Sequence, residues 1–466
     1  MLDEGRTRVL PDPPEAGGPD LGFDRSVHMD HYGTRLPFCC VGAKGIVQRF
    51  VELGGPHAGR SLDVLDASGG YASACLGAGS PVIAGALRRA IEDSGYVTDE
   101  IASLERGRVL ARLFGPGGLW SDRFPAGDYH VSGRNSGSEG MELALRLVLE
   151  SRFDRRRLRA AEGREDRNVI LAFEGAWHGW TGALLPLINR RHYRAGLPTL
   201  AAEPYGITVE HIPFGEIEAA REYFAGNGHR LLAVFIEPVQ GDAGILTPPP
   251  GYLREMARLC RDGGALLVAD EILTFAKTGG FFGMTDDEGP IPTDVTVLGK
   301  SLGMGVLTTS MVVARRDLTV RETGAVATSD LRPITCAVMG AGIGHIHAEG
   351  LLERSREVGG HLGTLLRREV VERFPDLYRE ARGLGVMHGV ELTESAARDV
   401  PAFREHMIRN GVYVEFMAGA GRRSHGLRYV FPTMRVAPPL IVTAPEAESI
   451  VERIAAGSEA IREEAR

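Results

Sequence analysis

The chain has 466 residues, 43% of them hydrophobic and 24% charged, which fits an ordinary soluble globular protein of two to three domains with a large core. Its net charge of −8 and the lack of any long arginine run beyond Arg155-Arg156-Arg157 exclude nucleic-acid binding as an expectation. No stretch approaches the roughly 18 apolar residues of a transmembrane helix, and Cys39, Cys40, Cys75, Cys260 and Cys336 lack zinc-site spacing and fit free thiols in a reducing cytoplasm.

The opening MLDEGRTRVLPDPPEAGGPD is acidic and proline-rich without an apolar core, so it reads as a flexible arm over residues 1–25 and not as a signal peptide or membrane anchor. Between Lys44 and Leu53 the residues Ile46, Val47, Phe50 and Val51 have helical spacing, which predicts a helix. Asp63 to Tyr71 predicts a strand that runs into a glycine turn. Val82–Ile91 and Glu100–Phe114 predict amphipathic helices, the second with Ile101, Leu104, Val109, Leu110 and Leu113 near one face.

In Ser132–Leu149 (SGRNSGSEGMELALRLVL) a cluster of Gly and Ser leads into a strongly amphipathic helix. Two readings stand side by side. The free N–H groups of the first turn, with the hydroxyls of Ser136 and Ser138, suit a phosphate; equally, Ser136 or Ser138 is an N-cap completed by Glu139 or Glu142.

Four short apolar runs then end on polar groups. Asn168–Phe173 stops before Glu174-Gly175-Ala176-Trp177-His178-Gly179, where Trp177 and His178 either cover a flat ligand or simply pack. Leu231–Ile236 stops before Glu237, Gln240 and Asp242, Ala265–Ala269 before Asp270-Glu271, and Val295–Leu298 before Gly299-Lys300-Ser301. Strand ends are where open α/β sheets collect ligands. Lysine and arginine together number 53, yet only Lys44, Lys277 and Lys300 are lysines. Arginine cannot lose its proton to become a nucleophile, whereas a buried lysine can, so Lys300 is a candidate chemical amine and Asp270 its partner.

Helices are predicted at Gly251–Arg261 and Pro333–Glu353. After Arg382 the pattern changes to short strands at Val386–Leu392 and Val412–Phe416 around a helix at Ala402–Arg409, closed by a helix at Ala444–Ile461. The expected division is an arm at 1–25, a segment at 26–75 packing with the small domain, a large domain at 76–345 and a small α+β domain at 346–466.

In order and spacing, NSGSEGMELALRL, FEGAWHG, IEPVQGDAG, VADEI, LGKSLGMG, RGLGVMHGVEL and RVAPPLIVT resemble the class III, or subgroup II, aminotransferases, over roughly Asp63 to Thr443. These are fold-type I pyridoxal phosphate enzymes such as ornithine, 4-aminobutyrate and acetylornithine aminotransferases and glutamate-1-semialdehyde aminomutase. The resemblance implies an α/β fold, with a large domain around a mostly parallel sheet flanked by helices, and a smaller α+β domain. It implies pyridoxal 5'-phosphate bound to Lys300 as a Schiff base, with Lys300 then shuttling the proton at the substrate α-carbon. Asp270 would pair with the pyridinium nitrogen. Gly137 and Ser138 would hold the phosphate with Ser136 nearby, Trp177 would stack on the ring with Ile272 on its other face, and Gln240 would reach the 3-hydroxyl. Thr328 matches a threonine donated across a dimer interface, so a homodimer with shared sites is implied. Arg435 would grip a substrate carboxylate. Asp242 matches the acid that pairs with that arginine in some relatives, and Glu237 lies beside it as a further substrate-binding residue.

Four stretches depart from the family pattern. Lys277 replaces an arginine in TFAKTG, ATSDLRP around Thr328 carries Asp330, Leu331 and Arg332, the segment before Arg435 is long and carries Arg422 and Arg423, and His388 replaces an aromatic. Such changes keep the cofactor machinery and point to a specialised substrate bearing acidic groups. The expected activity is transfer of an amino group between an amino acid and a keto acid or aldehyde in the cytoplasm, in specialised metabolism, with no nucleic-acid or membrane partner. The alternatives are non-transfer chemistry by the same core (aminomutase, racemase, decarboxylase or side-chain substitution) and, remotely, a non-catalytic cofactor-binding regulator.

Overall fold

The computed structural model of the chain describes residues 28–29, 36–93, 97–154, 159–190, 206–319, 327–421 and 428–464. The expected arm at 1–25 and the pair Arg422 and Arg423 lie outside the described residues. Residues 44–53, expected as a helix, form instead the turn and second strand of a hairpin. Strands β1 (Phe38–Lys44) and β2 (Val47–Glu52) pair antiparallel with Lys44 opposite Val47, and Gly45 at φ 60 opens the two-residue turn. Apolar residues at 46, 47, 50 and 51 satisfy a helical period. They do so because β2 lies between β1 and β3 (Ser61–Asp66) and buries Phe50, Val51 and Glu52 consecutively, which erases the alternation of a half-buried strand. The fourth strand of this sheet comes from the far end of the chain: Val412–Tyr413 runs parallel to β3.

Helices α1 (Pro81–Asp93) and α2 (Leu104–Phe114) lead to β4 (Tyr129–Arg134) and α3 (Gly137–Ser151). The central sheet adds β5 (Val169–Phe173), β6 (Thr208–Ile212), β7 (Leu231–Ile236), β8 (Leu266–Glu271), β9 (Val295–Leu298) and β10 (Ser310–Arg315), in the spatial order β4-β10-β9-β8-β7-β5-β6. Only β10 runs against its neighbours. Every residue of β5, β7, β8 and β9 is buried, as expected of parallel strands covered on both faces. Parallel pairing stacks the carboxyl ends on one edge, and the register sets Asp270 beside Val297, so Lys300 emerges immediately beyond the neighbouring strand. Helices α4 (Ile217–Asn227) and α5 (Tyr252–Gly263) pack on each other.

The helix expected across Pro333–Glu353 is two helices, α6 (Pro333–Ala348) and α7 (Leu351–Leu365), separated by Gly350 at φ 59, a conformation a helix cannot contain. The smaller sheet, all antiparallel, is β11 (Tyr378–Leu384), β12 (Met387–Leu392), then Thr433–Val436 and Glu415–Met417 in that spatial order. Helix α8 (Val400–Arg409) precedes β13 (Val412–Tyr413) and β14 (Glu415–Met417); β15 (Thr433–Val436) precedes α9 (Ala444–Glu464), which packs on α8. His388, one of the departures from the family pattern, is a core residue here: its Nε2 meets the carbonyls of Gly359 at 2.9 Å and Gly385 at 3.0 Å, and burial pushes its pKa down to about 4. Among the described residues no helix is long and apolar enough to cross a membrane.

Candidate active site

The end of β8 carries two acids with different tasks. Glu271 is fully buried and spent on its own loop, accepting hydrogen bonds from the Thr274 hydroxyl, Gly283 N at 2.8 Å and Met284 N at 2.7 Å. Asp270 is buried as well. Its Oδ1 accepts from Ile272 N at 3.1 Å, and its Oδ2 lies 2.9 Å from Nδ1 of His178, which is buried at the end of β5. Burial works against a charge on His178, but the hydrogen bond to Asp270 and the charges of Asp270 and Glu237 outweigh it and raise its pKa. Glu237, expected beside the substrate, is bound to backbone: it accepts from Trp177 N at 2.9 Å and Gly241 N at 3.4 Å. Its pKa is raised to about 7, chiefly by burial and by Asp270, against the opposing pull of His178.

Lys300 stands one residue past Gly299, at φ 42. A non-glycine residue held there carries backbone strain of about 1–3 kcal/mol, a cost that clusters at working sites. Among the described residues Tyr71, Ala72, Ile245, Ala276, Met304 and Leu331 share a positive φ with Lys300. Lys300 itself is partly exposed, and its amine makes no hydrogen bond among the described residues. Burial, followed by repulsion from the like charge of Arg435, lowers the pKa of Lys300 to about 8 even though Asp270, Glu237 and Glu415 pull the other way.

At the start of α3 the capping reading is realised. Ser136 is the N-cap, its hydroxyl accepting from Glu139 N at 3.2 Å, while Glu139 returns to Asn135 N at 2.9 Å. Gly137 and Ser138 open the helix with N–H groups that have no intrahelical acceptor. The Ser138 hydroxyl accepts from Trp180 N at 3.3 Å, and the rings of Trp177 and Trp180 stack at 5.7 Å. Ile272 fills the space between the helix start and the lysine loop: a Cβ on Gly137 would lie 2.9 Å from its Cδ1, and one on Gly299 3.1 Å from its Cγ2. Thr328 is exposed, and its carbonyl accepts from Arg332 at 2.7 Å, so Arg332 is engaged by its own loop. Asp330 is likewise engaged, with Ser132 at 2.6 Å and Arg134 at 3.4 Å.

Arg435 on β15 and Asp242 are both ion-paired, but not with each other. Asp242 pairs with Arg190, and Arg435 with Glu415, its register neighbour on β14. Tyr71 lies over the Arg435 guanidinium at 5.6 Å. Lys277 is fully buried, donates to Pro438 O at 3.4 Å and has its pKa lowered by desolvation.

His178, Glu415 and Tyr71 are the site residues the sequence left unassigned. The signal for Glu415 was present, since it is a carboxylate inside the apolar run Val412–Met417. That for the His178–Asp270 contact was not, since the two are 92 positions apart.

The start of α3 offers N–H groups without an intrahelical acceptor, Asp270 a carboxylate and Lys300 an amine. Among the described residues Gln240 Oε1 and His178 Nε2 are buried polar atoms without a hydrogen-bond partner. A buried acceptor left bare is costly, so Gln240 is set to meet a donor from a bound molecule. Pyridoxal phosphate has the matching parts, a phosphate, a phenolic hydroxyl, a ring nitrogen and an aldehyde. The residues therefore fit that cofactor, and the fold and site define a pyridoxal phosphate enzyme of fold type I.

The family is narrower than that class. The model of class-III aminotransferases matches residues 59–457, and the chain belongs to this family: it is a pyridoxal phosphate-dependent aminotransferase. It is 32% identical to the ornithine aminotransferase of Bordetella pertussis over 320 residues, 68% of this chain and 70% of that one. With the ornithine aminotransferase of Staphylococcus carnosus it shares 29% identity over 438 residues, 91% of this chain and 96% of the relative. The solved ornithine aminotransferase of Toxoplasma gondii ME49 superposes with a TM-score of 0.76 at 25% identity, covering 95% of each chain.

Proposed function

We propose that the chain moves an amino group from an amino acid to a keto acid or aldehyde through the amine of Lys300, as a cytoplasmic homodimer with shared sites and no nucleic-acid or membrane partner. The cofactor, when bound, supplies an aldehyde that condenses with amines and a ring that accepts electrons from the substrate α-carbon. Lys300 Nζ holds the cofactor at rest and, once freed, takes the α-proton; a pKa of about 8 leaves a useful neutral fraction near neutral pH. Asp270, held in place by His178 and Ile272 N, keeps a negative charge at the ring nitrogen. The N–H groups of Gly137 and Ser138 bind phosphate behind the cap of Ser136. Trp177 and Ile272 would cover the two faces of the cofactor ring and exclude water, and Gln240 Oε1 would accept from its 3-hydroxyl. Thr328, exposed on a single chain, would donate to the phosphate held by a second copy.

Arg435, Asp242 and Glu237 border the substrate, and because the first two are already paired, donor choice depends on how those pairs respond. The observation that carries this reading is the buried Asp270–His178 pair beside a lysine of lowered basicity. It is tested by the visible spectrum of the purified protein, with single amino acids added in the absence of any keto acid. Ornithine, 4-aminobutyrate, alanine and glutamate are the first panel, since the relatives are named for ornithine. A cofactor band that is lost in Lys300→Ala, and that one donor converts to the amine form, is the expected result. A stable band that no donor converts would move the reading to non-transfer chemistry.

A further inference from the structure

Residues 327–332, which depart from the family pattern, are bound to the strand that feeds α3. Strand β4 is an edge of the central sheet, so part of its backbone faces away from any neighbouring strand. Asp330 occupies that edge. Its Oδ1 accepts from Gly133 N, and its Oδ2 accepts from Ser132 Oγ at 2.6 Å and lies 3.4 Å from Nη1 of Arg134. Arg134 also donates to Ser132 Oγ at 2.7 Å. A single carboxylate thereby engages the last residues of β4 side by side.

Leu331 comes next, buried and at φ 52, a backbone conformation that a residue with a side chain keeps only when its surroundings hold it. It rests directly on β4, where a Cβ on Gly133 would lie 2.7 Å from Leu331 N. Arg332 turns back and donates from Nη2 to Thr328 O at 2.7 Å, while Cys336 Sγ, near the start of α6, meets Leu331 O at 3.2 Å. Thr328 is thus held by its carbonyl and the chain is fixed again at Asp330, whereas Thr328 itself is exposed. An acid gains nothing from touching a phosphate, since the two carry like charge. What it can give is order: a hydroxyl on a loop already fixed donates without the entropic cost of ordering that loop at the moment of binding.

We propose that Asp330 is a positioning residue for cofactor binding: it clamps residues 327–332 to β4 and so holds the Thr328 hydroxyl in place to donate to the phosphate in a second copy of this chain. This rests on the reading of Thr328 given above. Gly133 and Ser132 serve the same clamp from the strand side, the glycine by leaving room for Leu331 and the serine by donating to the acid. A shared site therefore needs Asp330 of the chain that lends Thr328, not of the chain that holds the phosphate.

The test compares pyridoxal phosphate with pyridoxal, which lacks only the phosphate, by equilibrium dialysis against the full chain freed of its cofactor. Thr328→Val should bind pyridoxal phosphate about tenfold more weakly, the scale of one hydrogen bond to a charged group. Asp330→Ala should lose most of that factor, about fivefold, and Asp330→Asn, which keeps an acceptor for Gly133 N, about threefold. Pyridoxal binding should stay within about twofold of wild type in each, the range expected of a change that does not touch the ligand. The double variant separates positioning from general loosening of the fold. Asp330→Ala combined with Thr328→Val should bind pyridoxal phosphate no more weakly than Thr328→Val alone, because the acid acts through that hydroxyl. Losses that multiply, an equal loss for pyridoxal, or an unchanged affinity in Asp330→Ala overturn the proposal and leave the role of Thr328 standing. Where Asp330→Ala does not fold, Asp330→Asn combined with Thr328→Val is judged by the same outcomes. An unchanged affinity in Thr328→Val would instead overturn the reading of Thr328, and the role of Asp330 with it.

Discussion

His178 Nδ1 stands 2.9 Å from Asp270 Oδ2, with both side chains buried and the ring's other nitrogen without a partner among the described residues. The contact joins the carboxyl ends of β5 and β8, which are not adjacent because β7 runs between them. It therefore fixes the acid from across a strand and limits where its charge can point. Although burial opposes a charge on His178, the hydrogen bond and the charges of Asp270 and Glu237 raise its pKa, so the ring favours its proton beside the acid.

Removing the histidine should leave Asp270 buried without its ionic partner. For His178→Ala we expect a loss of about 3 kcal/mol, the scale for breaking a buried pair from one side, read from urea unfolding of the apoprotein. His178→Asn, which retains a donor, should lose less. Asp270→Asn keeps the shape but not the charge, and should lower kcat by about 10²–10³, as for loss of a preorganised electrostatic group, with a smaller change in KM. A His178→Ala protein as stable as wild type would mean the pair is not holding the acid.

The lowered pKa of Lys300 has a signature in the stability of the apoprotein. Its folded value of about 8 lies below the unfolded value, so between the two the unfolded chain binds more protons and stability rises with pH. The penalty of charging the amine is complete below about 8 and is relieved as pH climbs toward the ordinary lysine value of about 10.4. Subtracting the urea midpoints of Lys300→Met from those of wild type should leave a difference that moves in favour of wild type from pH 8 to 10. A flat difference would show that the folded amine has ordinary basicity.

Much of this site is legible in the sequence because its parts sit at the ends of strands that announce themselves. Leu231–Ile236 and Val295–Leu298 are apolar on both faces, and the residues after each strand are forced to the carboxyl edge of a parallel sheet. Contacts between strand ends are not legible in the same way. Nothing local to His178 says that Asp270 is beside it, and the partner of Arg435 is the residue opposite it in the sheet, Glu415, while Asp242 is held by Arg190. Register decides that pairing, and register depends on how β14 and β15 meet. The hairpin at Lys44–Val47 escapes the helical reading for a related reason: its two-residue Gly-Ile turn is the usable signal, and consecutive burial in β2 hides the strand period.

Gly179 is placed where the chain doubles back over the start of α3. It holds φ 113, and a Cβ there would lie 2.6 Å from Ser138 Oγ and 2.8 Å from Leu184 Cδ1. Gly179→Ala should destabilise the protein by about 1–3 kcal/mol through backbone strain alone, and by displacing Ser138 it should also weaken cofactor retention. Thermal unfolding measured with and without added pyridoxal phosphate separates the two effects. A variant that loses stability equally in both states would have suffered strain only.

Thr328 decides whether one chain makes a whole site. It is exposed and lies away from the chain interior, although the loop that bears it is tied down by Arg332 and Asp330. An ordered loop that ends in an exposed hydroxyl is what a donation to a second copy requires. Thr328→Val should weaken cofactor binding about tenfold, the scale of one hydrogen bond to a charged group. Mixing then tells whose site the hydroxyl serves. If Thr328 reaches across, a heterodimer of Lys300→Ala and Thr328→Val chains has one site lacking both groups and one intact site, so tight cofactor binding and activity return at one site per dimer. If Thr328 serves its own chain, each site of that heterodimer lacks one group and nothing is recovered. Refolded or co-expressed mixtures, compared with each parent by equilibrium dialysis of the cofactor and by amino transfer, distinguish these outcomes, and a single-chain mass by sedimentation would remove the shared site altogether.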